Sequence, residues 1–222
     1  ARLKHWDDII ITLFTVILFY PLALFRNLFW FKKRSLNLKH FFGMSVNLDK
    51  APELSPALID ELGCHEILIR IPMSDIKNIA KYADFAASFS KKQILFVLMP
   101  TRQQITSPSR LKVDIYTVFT TLSPYSERFV IGNAINRLKW GFVMPKEYLL
   151  FFQTVTQVRE SHFPYIKLIG PSVIDFEYYI TIRTLFNLYK LKYDAFSTLL
   201  YVDRRGAPEN KQFGIDLSLI HF

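Results

Sequence analysis

The sequence predicts an α/β protein. It reads as a (β/α)8 TIM barrel truncated after about six strand–helix units, preceded by an N-terminal membrane helix. Three observations carry that prediction. Strand-like and helix-like runs alternate from Gly43 onward with the spacing of βα units. Polar residues stand at the C-terminal ends of the strand-like runs, where such barrels collect their site residues. One uncharged apolar run, Ile9 to Phe25, precedes them all. Residues 1–40 are therefore expected to form a membrane anchor with a basic flank, and residues 41–222 the partial barrel.

The first element is the apolar run itself. A spanning helix needs about 20 residues, with a lower limit near ~17, and Leu28 to Phe31 continue the run past Arg26 and Asn27. Pro21 predicts a kink. A spanning helix, a kinked re-entrant hairpin and an anchor lying in the interface all fit these residues. Trp6 and Trp30 suit the two edges of a bilayer. Lys32, Lys33 and Arg34 follow where a signal peptide would have a small-residue cleavage site, so no cleavable leader is expected. Arg26, Lys32, Lys33, Arg34 and Lys39 outnumber Arg2 and Lys4 on the other flank. The positive-inside rule then places the barrel on the cytoplasmic face, of a membrane of the bacterial inner type.

The βα elements follow in order. Phe42 to Asn47 is the first strand. Ser55, as N-cap with Pro56 behind it, opens a short helix that Gly63 stops. Glu66 to Ile71 is the second strand, and Ser74 caps a helix whose Ile76, Ile79, Ala83, Ala86 and Phe89 keep helical spacing. Gln93 to Met99 is a continuous apolar run, the mark of a buried parallel strand. A helix from Ser109 to Thr121 precedes the fourth strand, Glu127 to Ile131, and Pro145 starts a helix to Val158. Tyr165 to Ile169 is the fifth strand, Tyr178 to Leu191 a helix, Tyr193 to Tyr201 the sixth strand, and Ile215 to Ile220 the sixth helix. No glycine-rich phosphate loop follows the first strand, which argues against a dinucleotide fold. A full barrel takes about 250 residues, so strands seven and eight are expected in a further C-terminal segment or in another chain.

Composition narrows the partners. The net charge is +9 and the apolar fraction 50%. Zinc-ligand spacing, an aromatic RNA-binding pattern and a basic helix-turn-helix are all missing, so nucleic acid is not an expected partner. Much of the charge flanks the apolar run, which makes membrane lipid the simpler one. Cys64 is alone, which excludes an intrachain disulfide. The five histidines are scattered, so neither a metal nor another cofactor is expected.

The densest motif is Gly132-Asn133-Ala134-Ile135-Asn136-Arg137, directly after the fourth strand. With Arg70 in the second strand, Trp140 soon after the motif and Tyr201 at the end of the sixth strand, the chain from Gly43 resembles the large clan of retaining glycosidases, glycoside hydrolase clan A. That resemblance implies a barrel whose fourth strand ends Gly-Asn-Glu-Pro-Asn. It also implies two catalytic carboxylates, at the ends of strands four and seven. By position Arg70 would orient the nucleophile and Asn133 would bond the sugar 2-hydroxyl. Asn136, Arg137, Trp140, Tyr201 and Asp203 complete the expected carbohydrate-binding set.

Two departures matter. Ala134 stands where the clan has its acid/base glutamate, and an alanine donates no proton. Strand seven, the source of the nucleophile, lies outside the sequence. Asp175 and Glu177 are the substitute carboxylates, since an extended ending would point both to one side. Each also has a structural reading: Glu177 as a helix cap, Asp175 as a partner of Arg137 or Arg204. Arg102, Arg137, Lys139, Arg204 and Arg205 follow strand ends and suit an anionic ligand; salt bridges with Asp49, Asp175, Asp203 and Glu209 are the competing use. The sequence thus points to a membrane-anchored, glycoside-hydrolase-like protein that acts on or binds cell-envelope or exported polysaccharide and is catalytically degenerate. The alternative is a non-catalytic glycan-binding or scaffold barrel in a polysaccharide or lipopolysaccharide biosynthesis complex.

Overall fold

A computed structural model describes residues 5–30, 42–89, 91–174 and 177–199, together with the backbone of 211–212 and 215–216. Helix α1 (Trp6–Trp30) is a single 25-residue element with Pro21 inside it. It is not broken at the proline, so the hairpin arrangement is not the one adopted. Asp7 and Asp8 sit in its first turn, where carboxylates offset the helix dipole.

Six strands follow: β1 (Gly43–Val46), β2 (Glu66–Pro72), β3 (Gln93–Met99), β4 (Arg128–Ile131), β5 (Lys167–Ile174) and β6 (Ala195–Leu199). They pair in sequential order and every pairing is parallel. A doubly wound sheet reverses its strand order at a switch point; this one never does. It curls into an open half-barrel, with helices alternating between the strands. These are α2 (Ser55–Glu61), α3 (Ile79–Ala87), α4 (Arg102–Thr106), α5 (Pro108–Leu122), α6 (Pro145–His162) and α7 (Tyr178–Leu185).

The period-2 alternation of the strands explains the layering. Ile67, Ile69 and Ile71 of β2, Ile94, Phe96 and Leu98 of β3, and Phe129 and Ile131 of β4 are buried in the core. The same core takes Phe85 from α3, Ile115 and Phe119 from α5, and Phe151 and Phe152 from α6. The other strand face lines the concave interior. There Leu68, Leu95 and Met99 are half-buried and Arg70 is exposed. Glu66 and Arg128 bridge this face with an ion pair of 2.8 Å across β3.

Several boundaries differ from the sequence expectation. Leu54, not Ser55, is the N-cap of α2. Ser74 caps nothing: residues Met73–Asn78 form a 3-10 turn and α3 starts at Ile79. Helix α4 was not expected at all; Gln104 Oε1 accepts from the Thr101 backbone N–H at 2.9 Å and fixes its first turn. β5 runs on to Ile174, through Gly170 and Pro171, past the expected end at Ile169. The register with β6 shifts between Ile169 and Ser172, and an irregularity of that kind accommodates a proline in a strand. Helix α7 stops at Leu185, because the Asn187 carboxamide oxygen takes the N–H groups of Tyr189 and Leu191, both at 3.1 Å. Ile215–Asp216, expected in a sixth helix, instead pairs antiparallel with Lys211–Gln212.

Helix α1 is docked on the half-barrel. It packs along α7, with the rings of Phe19 and Phe186 stacked at 4.1 Å. Its outward face is bare: Phe14 is 70%, Ile17 64% and Leu18 62% exposed.

Candidate functional site

The motif after β4 is a tight turn clamped to the end of β5. Gly132 takes φ +84°, and a Cβ there would meet Ile135 at 3.1 Å and Tyr148 at 3.3 Å. The Ile135 N–H donates to the Ser172 carbonyl at 2.9 Å, and the Arg137 N–H to that of Ala134 at 2.9 Å. Asn136 is buried, and its carboxamide spends both ends on Ile174: Nδ2 donates to the carbonyl at 2.8 Å and Oδ1 accepts from the N–H at 2.9 Å. Asn136 therefore holds the strand ends together. Ala134 lies inside this turn, 1% exposed, at a left-handed φ of 45°. Asn133, beside it, is half-buried.

Glu177 stands at the N-cap position of α7, where its backbone carbonyl accepts from the Ile180 N–H at 3.0 Å, but its side chain makes no capping bond. One carboxylate oxygen pairs with the Arg137 guanidinium, and the other accepts from the Tyr179 hydroxyl at 3.0 Å. Glu177 itself takes φ −77° and ψ 60°, outside the extended region, so it does not continue a strand. Arg70 stands in register with Val97 on the concave face. Trp140 is half-buried in the 3-10 turn Leu138–Trp140, with the Lys139 ammonium 5.3 Å from its ring centroid. Asp175, Tyr201 and Asp203 lie outside the described residues, as do Arg204, Arg205 and Glu209.

The structure thus brings Asn133, Ala134, Asn136, Arg137 and Glu177 to one side of the half-barrel mouth. Arg102 does not join them as a free cation. Its guanidinium forks onto Glu147 at 2.5 and 2.6 Å and also donates to the Gly141 carbonyl at 3.0 Å. Burial alone would raise the Glu147 carboxyl; the bonds from Arg102 and from the Val143 N–H (2.8 Å) outweigh it and leave the pKa lowered. The same bond raises that of Arg102.

Two charged residues that sequence reasoning passed over define the other side of the mouth. Asp8 is 0% and Arg183 1% exposed. Asp8 Oδ1 accepts from Arg183 Nη2 at 3.0 Å, and Oδ2 from the Lys146 N–H, at the start of α6, at 2.7 Å. Asp7 pairs with the Lys146 ammonium. A signal was present: Arg183 is the only charge in the otherwise uncharged helix YYITIRTL, and a charge that such a helix buries needs a partner.

Between α1 and this rim runs a groove of about 330 Å³. α1 supplies one wall through Ile9, Thr12, Leu13 and Val16. The β4 turn, the approach to α6 and the first turn of α7 supply the others. No family model matches the chain, and no curated protein or solved structure matches it either.

Proposed function

We propose that this chain is a membrane-held, glycoside-hydrolase-like barrel that binds cell-envelope or exported polysaccharide without cleaving it by the usual carboxylate pair. The observation that carries the reading is Ala134. It fills the acid/base position with a methyl group, buried in a turn that hydrogen bonds to β5 hold closed. Loss of a general acid typically removes about 10²–10⁴-fold in rate. The nearest described carboxylate substitute, Glu177, is engaged by Arg137 and Tyr179. What the described residues offer a sugar is Arg70, exposed on the concave face, and the half-buried Asn133 and Trp140 after β4, side chains suited to hydroxyl recognition and stacking. The apolar outer face of α1 supports attachment at a membrane.

The test is binding and turnover together. Full-chain protein in mild detergent is titrated with envelope polysaccharide fragments, and reducing ends are counted after long incubation. Saturable binding weakened at least fivefold by Arg70→Ala or Asn133→Ala, without new reducing ends, supports the reading. Turnover abolished by Glu177→Gln would restore the enzyme. Absence of binding to any fragment would remove the carbohydrate and leave the scaffold alternative.

A further inference from the structure

We propose that the groove between α1 and the rim of the half-barrel is a binding site for one acyl chain of an anionic membrane phospholipid. The inference does not need the carbohydrate reading. It rests on the groove, on one hydroxyl and on the surface beside the opening.

The groove's volume of about 330 Å³ falls in the range of ligand sites, about 300–1,000 Å³. Its lining is apolar apart from few groups. The Asn136 carboxamide is one, and both its ends are already bonded. The Thr12 hydroxyl is another. Its oxygen is buried and has no hydrogen-bond partner. A threonine in a helix ordinarily returns its hydroxyl to the preceding turn, as Thr15 does to the Ile11 carbonyl at 2.7 Å. Thr12 does not, and an unmet buried hydroxyl calls for a partner. The ester carbonyl at the head of an acyl chain is an acceptor of the right kind on an otherwise hydrocarbon ligand.

Leu13 shows where such a ligand comes from. It lines the groove and is also 58% exposed. The groove therefore opens onto the outer face of α1, among Phe14 and Ile17, a surface that suits lipid better than water. The net charge of +9 favours an anionic bilayer surface, and with it an anionic headgroup.

The test is photo-crosslinking of the full chain in nanodiscs. These contain phosphatidylethanolamine and a phosphatidylglycerol with a diazirine halfway along one acyl chain. Adducts are mapped by peptide mass spectrometry. Val143, Met144 and Ile180 line the groove from the barrel side, so adducts on them report a chain inside it. We expect such adducts in addition to those on Phe14, Ile17 and Leu18. Thr12→Phe and Val16→Phe fill the groove and should lower the inner adducts at least fivefold while leaving the outer ones unchanged. The adduct map of the unsubstituted chain tests the site without any variant. Adducts confined to the outer face overturn the proposal, as do inner adducts indifferent to filling. Crosslinks from this groove to a second copy of the chain also overturn it. Equal inner yield from a diazirine phosphatidylcholine overturns the preference for an anionic head.

Discussion

Asp8→Ala removes the anion from a pair in which both side chains are out of water, 0% and 1% exposed. Breaking a buried pair by deleting one partner costs about 3–5 kcal/mol, because the other charge is left uncompensated. Here the surviving guanidinium is poorly placed to recover, since Arg183 Nε and Nη1 are already buried without partners. The Lys146 N–H at the start of α6 loses its acceptor as well. For a domain of this size ~2–4 °C accompanies each kcal/mol, so a fall in Tm of about 6–20 °C is expected on the magnitude above. The assay is thermal and urea unfolding of the full chain in mild detergent, followed by circular dichroism. A separate low-temperature phase would report α1 leaving the half-barrel before the rest unfolds. Asp8→Ala with Arg183→Met removes both charges and fills the space with an apolar chain, and should regain most of the loss. A cost for Asp8→Ala below about 0.5 kcal/mol, the range of ordinary surface substitutions, would refute the docking of α1 on the rim. So would strict additivity of the two changes.

Four further outcomes follow from other sites. Ala134→Gly should stabilise by about 0.5–1 kcal/mol by relieving the left-handed φ, and Ala134→Glu should destabilise by more than about 3 kcal/mol as an unpaired buried acid; urea midpoints decide both. Gly170→Ala drives a Cβ to 2.3 Å from the Tyr148 hydroxyl and should cost about 1–3 kcal/mol. Most of that should be recovered in a Tyr148→Phe background, since the deleted hydroxyl has no partner to lose. The Glu147 pKa is lowered in the folded state, so its contribution is full above the ordinary glutamate value and is lost as pH falls through the lower folded value. Urea titrations from pH 6 to 3 should show a stability loss on the acid side that is shallower in Glu147→Gln. Finally, in a Cys64→Ser background, Lys4→Cys and Lys33→Cys should both react with an impermeant maleimide from the side of sealed vesicles that carries the barrel; labelling of one end only would mean that α1 crosses the bilayer.

The order of the βα units was legible because each strand carries its own signature: the continuous run Gln93–Met99 coincides with β3, and alternate apolar residues give β2. Tertiary interactions hid the rest. Ser74 has a capping residue's chemistry, yet the Asn78 carboxamide donates to Asp75 at 2.6 Å and the chain stays in a 3-10 turn until Ile79. The fifth strand is expected to end at Ile169, before Gly170 and Pro171, yet β5 continues through them with a shifted register against β6. The candidate site was legible as a place but not as a set of roles. Asn136 looked like a ligand residue because side chains that hold a turn closed and side chains that hold a sugar share the same amide chemistry. Asp8 was missed because a lone charge in YYITIRTL signals that Arg183 needs a partner but not where along the chain that partner lies.

The docking of α1 bears on the membrane attachment proposed above. Asp8 is tied to α6 and α7, Thr12 and Val16 face the rim, and Phe19 stacks on Phe186. Only the stretch beyond Phe19 is left to enter lipid without the barrel. That is about ten residues, or about 15 Å at 1.5 Å per residue, against a hydrocarbon core of about 30 Å. A docked α1 therefore cannot cross on its own. For a membrane-held chain as proposed, the arrangement that satisfies both the bonds and the bare outer face is a helix lying in the interface, with Phe14, Ile17 and Leu18 turned into the acyl region and the half-barrel above it. In that arrangement the excess of Arg26, Lys32, Lys33, Arg34 and Lys39 over Arg2 and Lys4 would serve as a grip on anionic headgroups, at about 1 kcal/mol per residue near the surface, rather than as a topology signal. It also puts the opening of the groove at Leu13 against the lipid layer, where an acyl chain enters without passing through water.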